Sequence, residues 1–399
     1  MNKKERVVRA INLKTVDKIP TSYRGLKNVT QNLLKFYNIQ ETDEFINIKD
    51  ELMQKLGADY WAMGHNICYF STFHAKYQGP VPNEPYIQDD CLFHAIGINA
   101  VAKRIERFDY EYPNFTDPPL ARISEASEID DDFLTKKLKL FNFKEMVNLY
   151  FEQKEKVIHS STKNDGLSKE LEIKNLRENN EFIAMGSFNS LFIICSYLRG
   201  MDQFLLDMAG NKKIAEKIIS LVGEYCLEYN KRELESFGEE AEFYCSWDDV
   251  ATQEDTFFNP ELFKEYFLPI YKKLIQETKK YSLIFNWHCC GNINKVLPMM
   301  IDAGIDMFDV VQTSAKDMDL EKVYKNFGNK ICLHGGIDVQ DLLFRKKPED
   351  VKDEVKKVID LWGNRGGIIL SPSHEAMPGT PIENIIEIYR TINDYFLTH

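Results

Sequence analysis

The segment at residues 283–291 reads Leu283-Ile284-Phe285-Asn286-Trp287-His288-Cys289-Cys290-Gly291, an apolar strand that ends at a histidine and two cysteines. Side chains alternate between the two faces of an extended chain, so His288 and Cys290 lie on one face and Cys289 on the other. An imidazole beside a thiol is the start of a zinc site. We interpret Cys289 as a small buried hydrophobe.

Strand and helix patterns alternate around this segment. Strands are predicted at residues 241–247, 283–287, 307–311, 330–334 and 366–370, and helices at about 260–280, 292–303, 320–327, 348–362 and from Thr380 onward. Asn259 and Pro260 have the residue types of a helix N-cap and first helical position. Repeated strand–helix units with apolar strands indicate a parallel sheet covered by helices, and their number favours a (β/α)8 TIM barrel over an open sheet.

A second histidine follows the last predicted strand. Residues 366–370 run into Ser371-Pro372-Ser373-His374, which places an imidazole where the strand ends. Active sites of (β/α)8 barrels lie at these strand ends, and catalytic zinc takes three protein ligands and one open position. We therefore predict a zinc site made of His288, Cys290 and His374. A carboxylate or the reacting atom would take the remaining position.

Acidic residues follow the strand that ends at Trp247. Asp248, Asp249 and Glu254 either cap a helix and line a solvated turn, or bind and orient a substrate at the barrel mouth. We predict Asp249 and Glu254 as catalytic groups, with Asp249 preferred, and Asp248 as a substrate ligand. His334 ends the strand at 330–334 and is either a hydrogen-bonded structural residue or a further substrate ligand.

Composition narrows the class of protein. The formal charge of −12 over 399 residues argues against nucleic acid or an anionic membrane as a partner. Eight cysteines in a chain of this length do not form the dense framework of a small secreted protein, so reduced thiols are expected. The N-terminus has no apolar stretch of signal-peptide length, and we predict a cytoplasmic protein.

The N-terminal half has weaker patterns. Residues 69–119 are rich in aromatics, Asp and Pro, and we interpret them as an elaboration around the barrel mouth. Residues 124–180 are charged and helix-prone, with an exposed loop at 159–166, and we interpret them as an insertion. The whole chain, 1–399, is predicted to form one domain.

Several segments together resemble the uroporphyrinogen decarboxylase superfamily over nearly the whole chain. They are Glu5-Arg6-Val7-Val8-Arg9-Ala10, Val16-Asp17-Lys18-Ile19-Pro20, Met185-Gly186-Ser187-Phe188, Ser196-Tyr197-Leu198-Arg199-Gly200, residues 248–262, Leu333-His334-Gly335-Gly336-Ile337-Asp338 and residues 372–384. Tyr197 matches a tyrosine of the decarboxylase pocket. The resemblance therefore implies that Tyr197 is a catalytic and substrate-binding residue.

Two segments distinguish branches of this superfamily. True decarboxylases hold the carboxylates of their substrate with an Arg-Gln-Ala-Gly-Arg segment, whereas this chain reads Thr21-Ser22-Tyr23-Arg24-Gly25-Leu26-Lys27, in which Arg24 is the candidate substrate ligand. The His-x-Cys of His288 and Cys290 resembles the zinc-dependent, corrinoid-linked methyltransferases, which include the methylcobamide:coenzyme M enzymes and related demethylases. That branch commonly has a cysteine as third ligand in the last block, where this chain has His374.

The resemblance implies a zinc methyltransferase that moves a methyl group between a small methylated substrate, or a thiol, and a corrinoid. The chain lacks the Asp-x-His-x-x-Gly motif that binds cobalamin, so a partner protein would carry the corrinoid. A homodimer is also expected. Two alternatives remain open: a porphyrinogen decarboxylase, and a catalytically silent barrel that binds a small ligand.

Overall fold

The computed structural model describes residues 1–40, 45–61, 71–79, 99–105, 110–148, 169–178, 181–186 and 190–398. In this part of the chain a parallel sheet is accompanied by helices, which confirms the predicted α/β class. The strands are β1 (Ser22–Tyr23), β2 (Tyr60–Trp61), β3 (Ser71–Tyr77), β4 (Asn99–Ile105), β5 (Tyr110–Thr116), β6 (Phe141–Asn148), β7 (Ile183–Gly186), β8 (Phe243–Trp247), β9 (Ile284–His288), β10 (Met307–Val311), β11 (Cys332–Ile337) and β12 (Ile368–Pro372).

The α-helices of the described residues are α1 (Lys3–Ile11), α2 (Lys27–Tyr37), α3 (Phe45–Leu56), α4 (Lys169–Glu178), α5 (Leu191–Arg199), α6 (Met201–Ala209), α7 (Lys212–Phe237), α8 (Pro260–Leu262), α9 (Leu268–Lys279), α10 (Leu297–Ala303), α11 (Leu320–Phe327), α12 (Leu342–Arg345), α13 (Pro348–Trp362) and α14 (Ile382–Thr398). A π-helical turn, Phe263–Phe267, joins α8 to α9, and 3-10 turns cover Ala126–Glu128 and Thr135–Leu140. The side chain of Asn259 caps α8 as predicted, accepting a hydrogen bond from the Glu261 amide at 3.0 Å.

The main sheet has the strand order β12-β11-β10-β9-β8-β7-β3-β6. Its pairings are parallel except the last, where β6 lies antiparallel to β3. At the other edge Thr21 forms a parallel bridge with Leu370, and β1 pairs with β2. Among the described residues no pairing joins β2 to β3, so hydrogen bonds do not close these strands into a ring there.

The two faces of the parallel strands pack against different partners. Residues such as Cys245, Met307 and Ile369 belong to a buried cluster with Val7 and Ala10 of α1. Their neighbours in sequence point the other way, into a larger core shared with the later helices. One face of these strands therefore packs against α1, and the other face packs against the later helices.

Strand register brings three polar residues to one place. Asp309 of β10 is the direct partner of His288 on β9 and of His334 on β11. All three alternate with residues of the larger core, namely Trp287, Phe308 and Leu333, so they share the opposite face. The order of the strands therefore places these three side chains in a row across β9, β10 and β11.

One N-terminal prediction changes in the structure. Residues 141–148 fall within the stretch interpreted as helix-prone, yet they form strand β6. The alternating Phe141 and Phe143 both pack edge-on against Tyr229, with ring centroids 5.2 and 5.1 Å away, and this period-two pattern explains the strand. Within residues 69–119, β4 and β5 form an antiparallel pair. The loop predicted at 159–166 lies outside the described residues.

Among the helices of the described ranges, none has the length and apolarity needed to cross a bilayer.

Candidate metal centre

Three side chains of different chemistry meet at the ends of β8 and β9. Asp249, His288 and Cys290 each offer one ligand atom, and these atoms all lie within 4.8 Å of one another. The Nε2 atom of His288 lies 3.4 Å from the Sγ atom of Cys290 and 3.9 Å from the Oδ1 atom of Asp249. The structure thus brings two predicted metal ligands together with a predicted catalytic acid.

The backbone explains why these side chains meet. Trp247 of β8 is the direct partner of His288 on β9, so the residues two positions further along, Asp249 and Cys290, emerge level with each other. The Cys290 amide donates to Asp249 Oδ1 at 2.7 Å. Gly291 follows with φ +92°, and a Cβ atom there would lie 2.4 Å from the Thr252 carbonyl oxygen. The turn after the centre therefore requires glycine.

The two adjacent cysteines differ as alternation predicts. Cys289 is fully buried, and its Sγ atom accepts a hydrogen bond from the Val250 amide at 3.4 Å. Cys290 is half-buried beside His288. Burial raises the pKa of the Cys290 thiol well above its ordinary value, and the Asp249 carboxylate acts in the same direction. A metal cation that binds Cys290 would therefore have to displace a proton.

Asp309 contacts His288 on the ring nitrogen that faces away from Cys290, and it accepts hydrogen bonds from three side chains. Its Oδ2 atom accepts from His288 Nδ1, and its Oδ1 atom accepts from His334 Nδ1 at 2.7 Å and from Arg24 Nη1 at 3.0 Å. Sequence reasoning missed this residue. The sequence does contain a signal for it, because Asp309 is the one charged residue of the apolar strand at 307–311. A charged residue in a buried strand needs a partner.

His334 and Arg24 are both buried in the structure. His334 is 0% exposed, and its Nε2 atom accepts from the Ser22 hydroxyl at 2.7 Å. Burial lowers the pKa of His334 to about 4, so the ring is neutral at pH 7. Arg24 is also buried and donates to Asp309. Both residues were predicted to bind substrate, and in the structure both support Asp309.

Asp248 has a structural position. Its carboxylate accepts hydrogen bonds from the Phe192 and Ile193 amides at the start of α5, at 2.9 and 3.0 Å, and from the Tyr271 hydroxyl at 2.8 Å. The side chain is fully buried, and burial raises the pKa of Asp248 to about 7. These contacts match the helix-cap interpretation of Asp248, and its part in substrate binding stays a prediction.

The remaining predicted residues lie apart from the three-residue group. Glu254 is 81% exposed and lies 3.6 Å from the Lys316 ammonium group. Tyr197, on α5, is half-buried against the core. His374 follows β12 and is half-buried, but it is not a member of the group. Two strands separate β12 from β9, a distance of roughly 14 Å along the sheet, whereas Asp249 follows the adjacent strand.

The donor set fits zinc. A thiol, an imidazole and a carboxylate are all common zinc ligands, and three of them leave one position of a tetrahedral site open. Calcium and magnesium prefer oxygen ligands alone. The Asp249 side chain is 38% exposed, so the centre is accessible from solvent.

Comparison with known proteins assigns the family. A profile described as uroporphyrinogen decarboxylase (URO-D) matches residues 164–395. The chain belongs to the uroporphyrinogen decarboxylase family. This confirms the resemblance seen in the sequence.

The individual relatives that match the chain are named as methyltransferases or as uroporphyrinogen decarboxylases. The chain is 26% identical over 216 residues to methylcobamide:CoM methyltransferase MtbA of Methanosarcina acetivorans, an alignment covering 54% of this chain and 59% of that protein. It is 22% identical over 181 residues to uroporphyrinogen decarboxylase of Chlorobium phaeobacteroides, covering 43% of this chain and 47% of that protein. The chain thus spans about half the length of the curated relatives it matches.

A solved structure supports the fold. A methyltransferase from Methanosarcina mazei superposes with a TM-score of 0.61 over 99% of both chains, at 16% sequence identity. This likeness concerns the fold alone.

Proposed function

We propose that this chain is a zinc-dependent methyltransferase, in which Asp249, His288 and Cys290 hold the metal. The observation that carries the proposal is the meeting of these three donors within 4.8 Å at strand C-termini, where barrel enzymes have their active sites. Relatives named as methyltransferases support the same reaction class. Asp249 replaces His374 in the ligand set because it lies within reach of the other two residues.

The substrate would be a small methylated compound or a thiol, and the second methyl carrier a corrinoid on a partner protein. When bound, zinc supplies Lewis acidity to the atom that the methyl group leaves, or lowers the pKa of a substrate thiol. Cys290 and Asp249 would both bring negative charge to the metal, but a carboxylate donates less charge than a second thiolate would, which leaves the metal more positive than two thiolates would. The ligand set therefore favours activation of a leaving group.

Other residues of the chain take supporting parts in this proposal. In the favoured direction the cobalt of the partner's cob(I)amide would form a bond to the methyl carbon while the bond between methyl carbon and leaving atom breaks. The electron pair of the broken bond stays on the leaving atom, which takes up a proton. The exposed Glu254 is proposed to orient the substrate or move that proton, and Tyr197 to line the pocket. Neither Arg24 nor His334 is needed for substrate contact in this arrangement.

The finer architecture also belongs to this proposal. We infer one domain over 1–399 with the parallel strands closing as a (β/α)8 barrel, supported by the Thr21–Leu370 bridge that extends the sheet toward β1 and β2. A cytoplasmic homodimer completes the expectation. The formal charge of −12 supports the further expectation that nucleic acid and anionic membranes are not partners.

A porphyrinogen decarboxylase is the second candidate, because relatives with that name match the chain. Its substrate carries a ring of carboxylates, which need several cationic or backbone donors. Arg24, the residue at the matching segment, is buried and hydrogen-bonded to Asp309. This placement favours the methyltransferase.

A two-arm spectroscopic assay tests the proposal. One arm follows methylation of cob(I)alamin by methoxy, methylamine and methylthio donors, and the other follows thiol methylation by methylcobalamin. Activity in the first arm that disappears on zinc removal is the expected result. Zinc-dependent activity in the second arm only would retain the methyltransferase and reject the leaving-group direction. Corrinoid chemistry that is equally fast without zinc would overturn the proposal.

A further inference from the structure

Asp309 connects the candidate metal centre to the interior of the protein. We propose that Asp309 is a positioning residue that holds His288 in the tautomer whose Nε2 lone pair faces Cys290 and Asp249. The inference rests on the proposed function for its consequence, zinc binding, but the tautomer itself is a property of the metal-free chain.

The hydrogen-bond pattern determines the tautomers. An ionised carboxylate only accepts hydrogen bonds, so a ring nitrogen bonded to it must carry the hydrogen. Asp309 contacts the Nδ1 atoms of both His288 and His334. Each ring therefore has its hydrogen on Nδ1 and a lone pair on Nε2. In His334 that lone pair accepts from Ser22, and in His288 it points toward Cys290 and Asp249.

Buried charge keeps Asp309 in its accepting form. The Arg24 guanidinium donates to the Oδ1 atom of Asp309 at 3.0 Å, and a cation in hydrogen-bond contact favours the ionised carboxylate. Asp309 is 0% exposed and Arg24 is 3% exposed, so the pair is largely removed from water. The guanidinium offsets the carboxylate charge without occupying Oδ2, which remains the acceptor for His288.

The second histidine holds the carboxylate from the opposite side. β9, β10 and β11 are adjacent, and His288, Asp309 and His334 are direct partners across them. His334 is itself fixed by Ser22. Rotation of the Asp309 carboxylate would break bonds on both sides, so the orientation of the His288 ring follows from the sheet register. Carboxylates that accept from a metal-binding histidine commonly act in this way.

Asp309→Asn tests the inference with little change in shape. The amide has one accepting oxygen and one donating nitrogen, so at least one of the two imidazoles must change tautomer or lose its bond. We expect zinc affinity, measured by competition with a chromophoric chelator, to fall by about 10–100-fold. Asp207→Asn is the matched control, because Asp207 forms a buried pair with Arg199 at 2.7 Å, outside the three-residue group.

Nitrogen-15 NMR of metal-free protein supplies a readout that zinc does not enter. The expected signature of His288 is hydrogen on Nδ1 in the wild type and a changed pattern in Asp309→Asn. A His288 ring with its hydrogen on Nε2 in the wild type overturns the inference, as does an Asp309→Asn variant with wild-type zinc affinity. If Asp309→Asn does not fold, the wild-type tautomer still decides. A wild type with the expected tautomer that binds no zinc would reject the proposed function and leave the positioning intact.

Discussion

The Sγ atom of Cys290 lies 3.4 Å from the Nε2 atom of His288, on the same face of the chain and two residues away. Both residues lie at the C-terminal end of β9, so they could bind one metal ion together. Asp249, which follows the neighbouring strand β8, would be the third ligand. Each of the three side chains is therefore expected to be necessary for tight binding.

Replacing Cys290 by serine should empty the centre. Serine keeps the size of the side chain but removes the thiolate that zinc prefers. Elemental analysis should find about one zinc per wild-type chain and much less in Cys290→Ser. Cys289→Ser is the matched control, because this neighbouring thiol points to the opposite face and should leave the zinc content unchanged. Full occupancy of Cys290→Ser would show that the thiol is not a ligand.

The third ligand can be assigned by comparing two substitutions. Asp249→Asn removes a charged ligand while retaining an oxygen that can accept from the Cys290 amide. We expect its zinc affinity to fall by at least about tenfold. His374→Gln should bind zinc nearly as tightly as the wild type, because His374 is outside the three-residue group. The reverse outcome would restore the ligand set predicted from sequence.

Uroporphyrinogen should not be a substrate. The single arginine of the matching segment, Arg24, already donates to the buried Asp309, so extracting it would leave an uncompensated buried charge at a cost of about 3–5 kcal/mol. The measurement is porphyrin fluorescence after oxidation of the product mixture. Turnover by zinc-free protein would reverse the order of the two proposed functions.

Folding stability should depend on pH through Glu233. This residue of α7 is fully buried, accepts from the Ala75 amide at 3.4 Å, and has its pKa raised by burial to about 8 from 4.5. Between these values the unfolded chain has released a proton that the folded chain keeps. The contribution of Glu233 is therefore complete below pH 4.5 and declines as the pH rises, by about 1.4 kcal/mol per unit.

Glu233→Gln, which is neutral at every pH, should become more stable relative to the wild type as the pH rises from 5 to 8. Urea unfolding at several pH values measures the difference. Glu235→Gln on the same helix is the control, because Glu235 is 58% exposed and should show no such trend. Parallel pH profiles for the wild type and Glu233→Gln would refute the assignment.

The sequence predicted the C-terminal fold and part of the centre because both depend on local pattern. Apolar runs and helix caps predicted strands such as Met307–Val311 and helices such as Leu320–Phe327 and Pro348–Trp362 with the bounds that the structure has. Alternation along one strand placed His288 and Cys290 together. These features need only neighbouring residues of the chain.

Features that depend on strand order were not predictable in the same way. Asp309 meets His288 and His334 only because β10 lies between β9 and β11 in that register. The choice of Asp249 over His374 follows from adjacency in the sheet, and both residues end a strand in the sequence. The buried hydrogen bond of Arg24 likewise depends on Asp309, a partner far away in the sequence.

X-ray absorption at the zinc edge of the zinc-loaded wild-type protein tests the assignment most directly. The account predicts one sulfur at about 2.3 Å with nitrogen and oxygen at about 2.0–2.2 Å, because Cys290 is the single thiol in the three-residue group. A first shell without sulfur, or with two or more sulfurs, would contradict the ligand set of Asp249, His288 and Cys290.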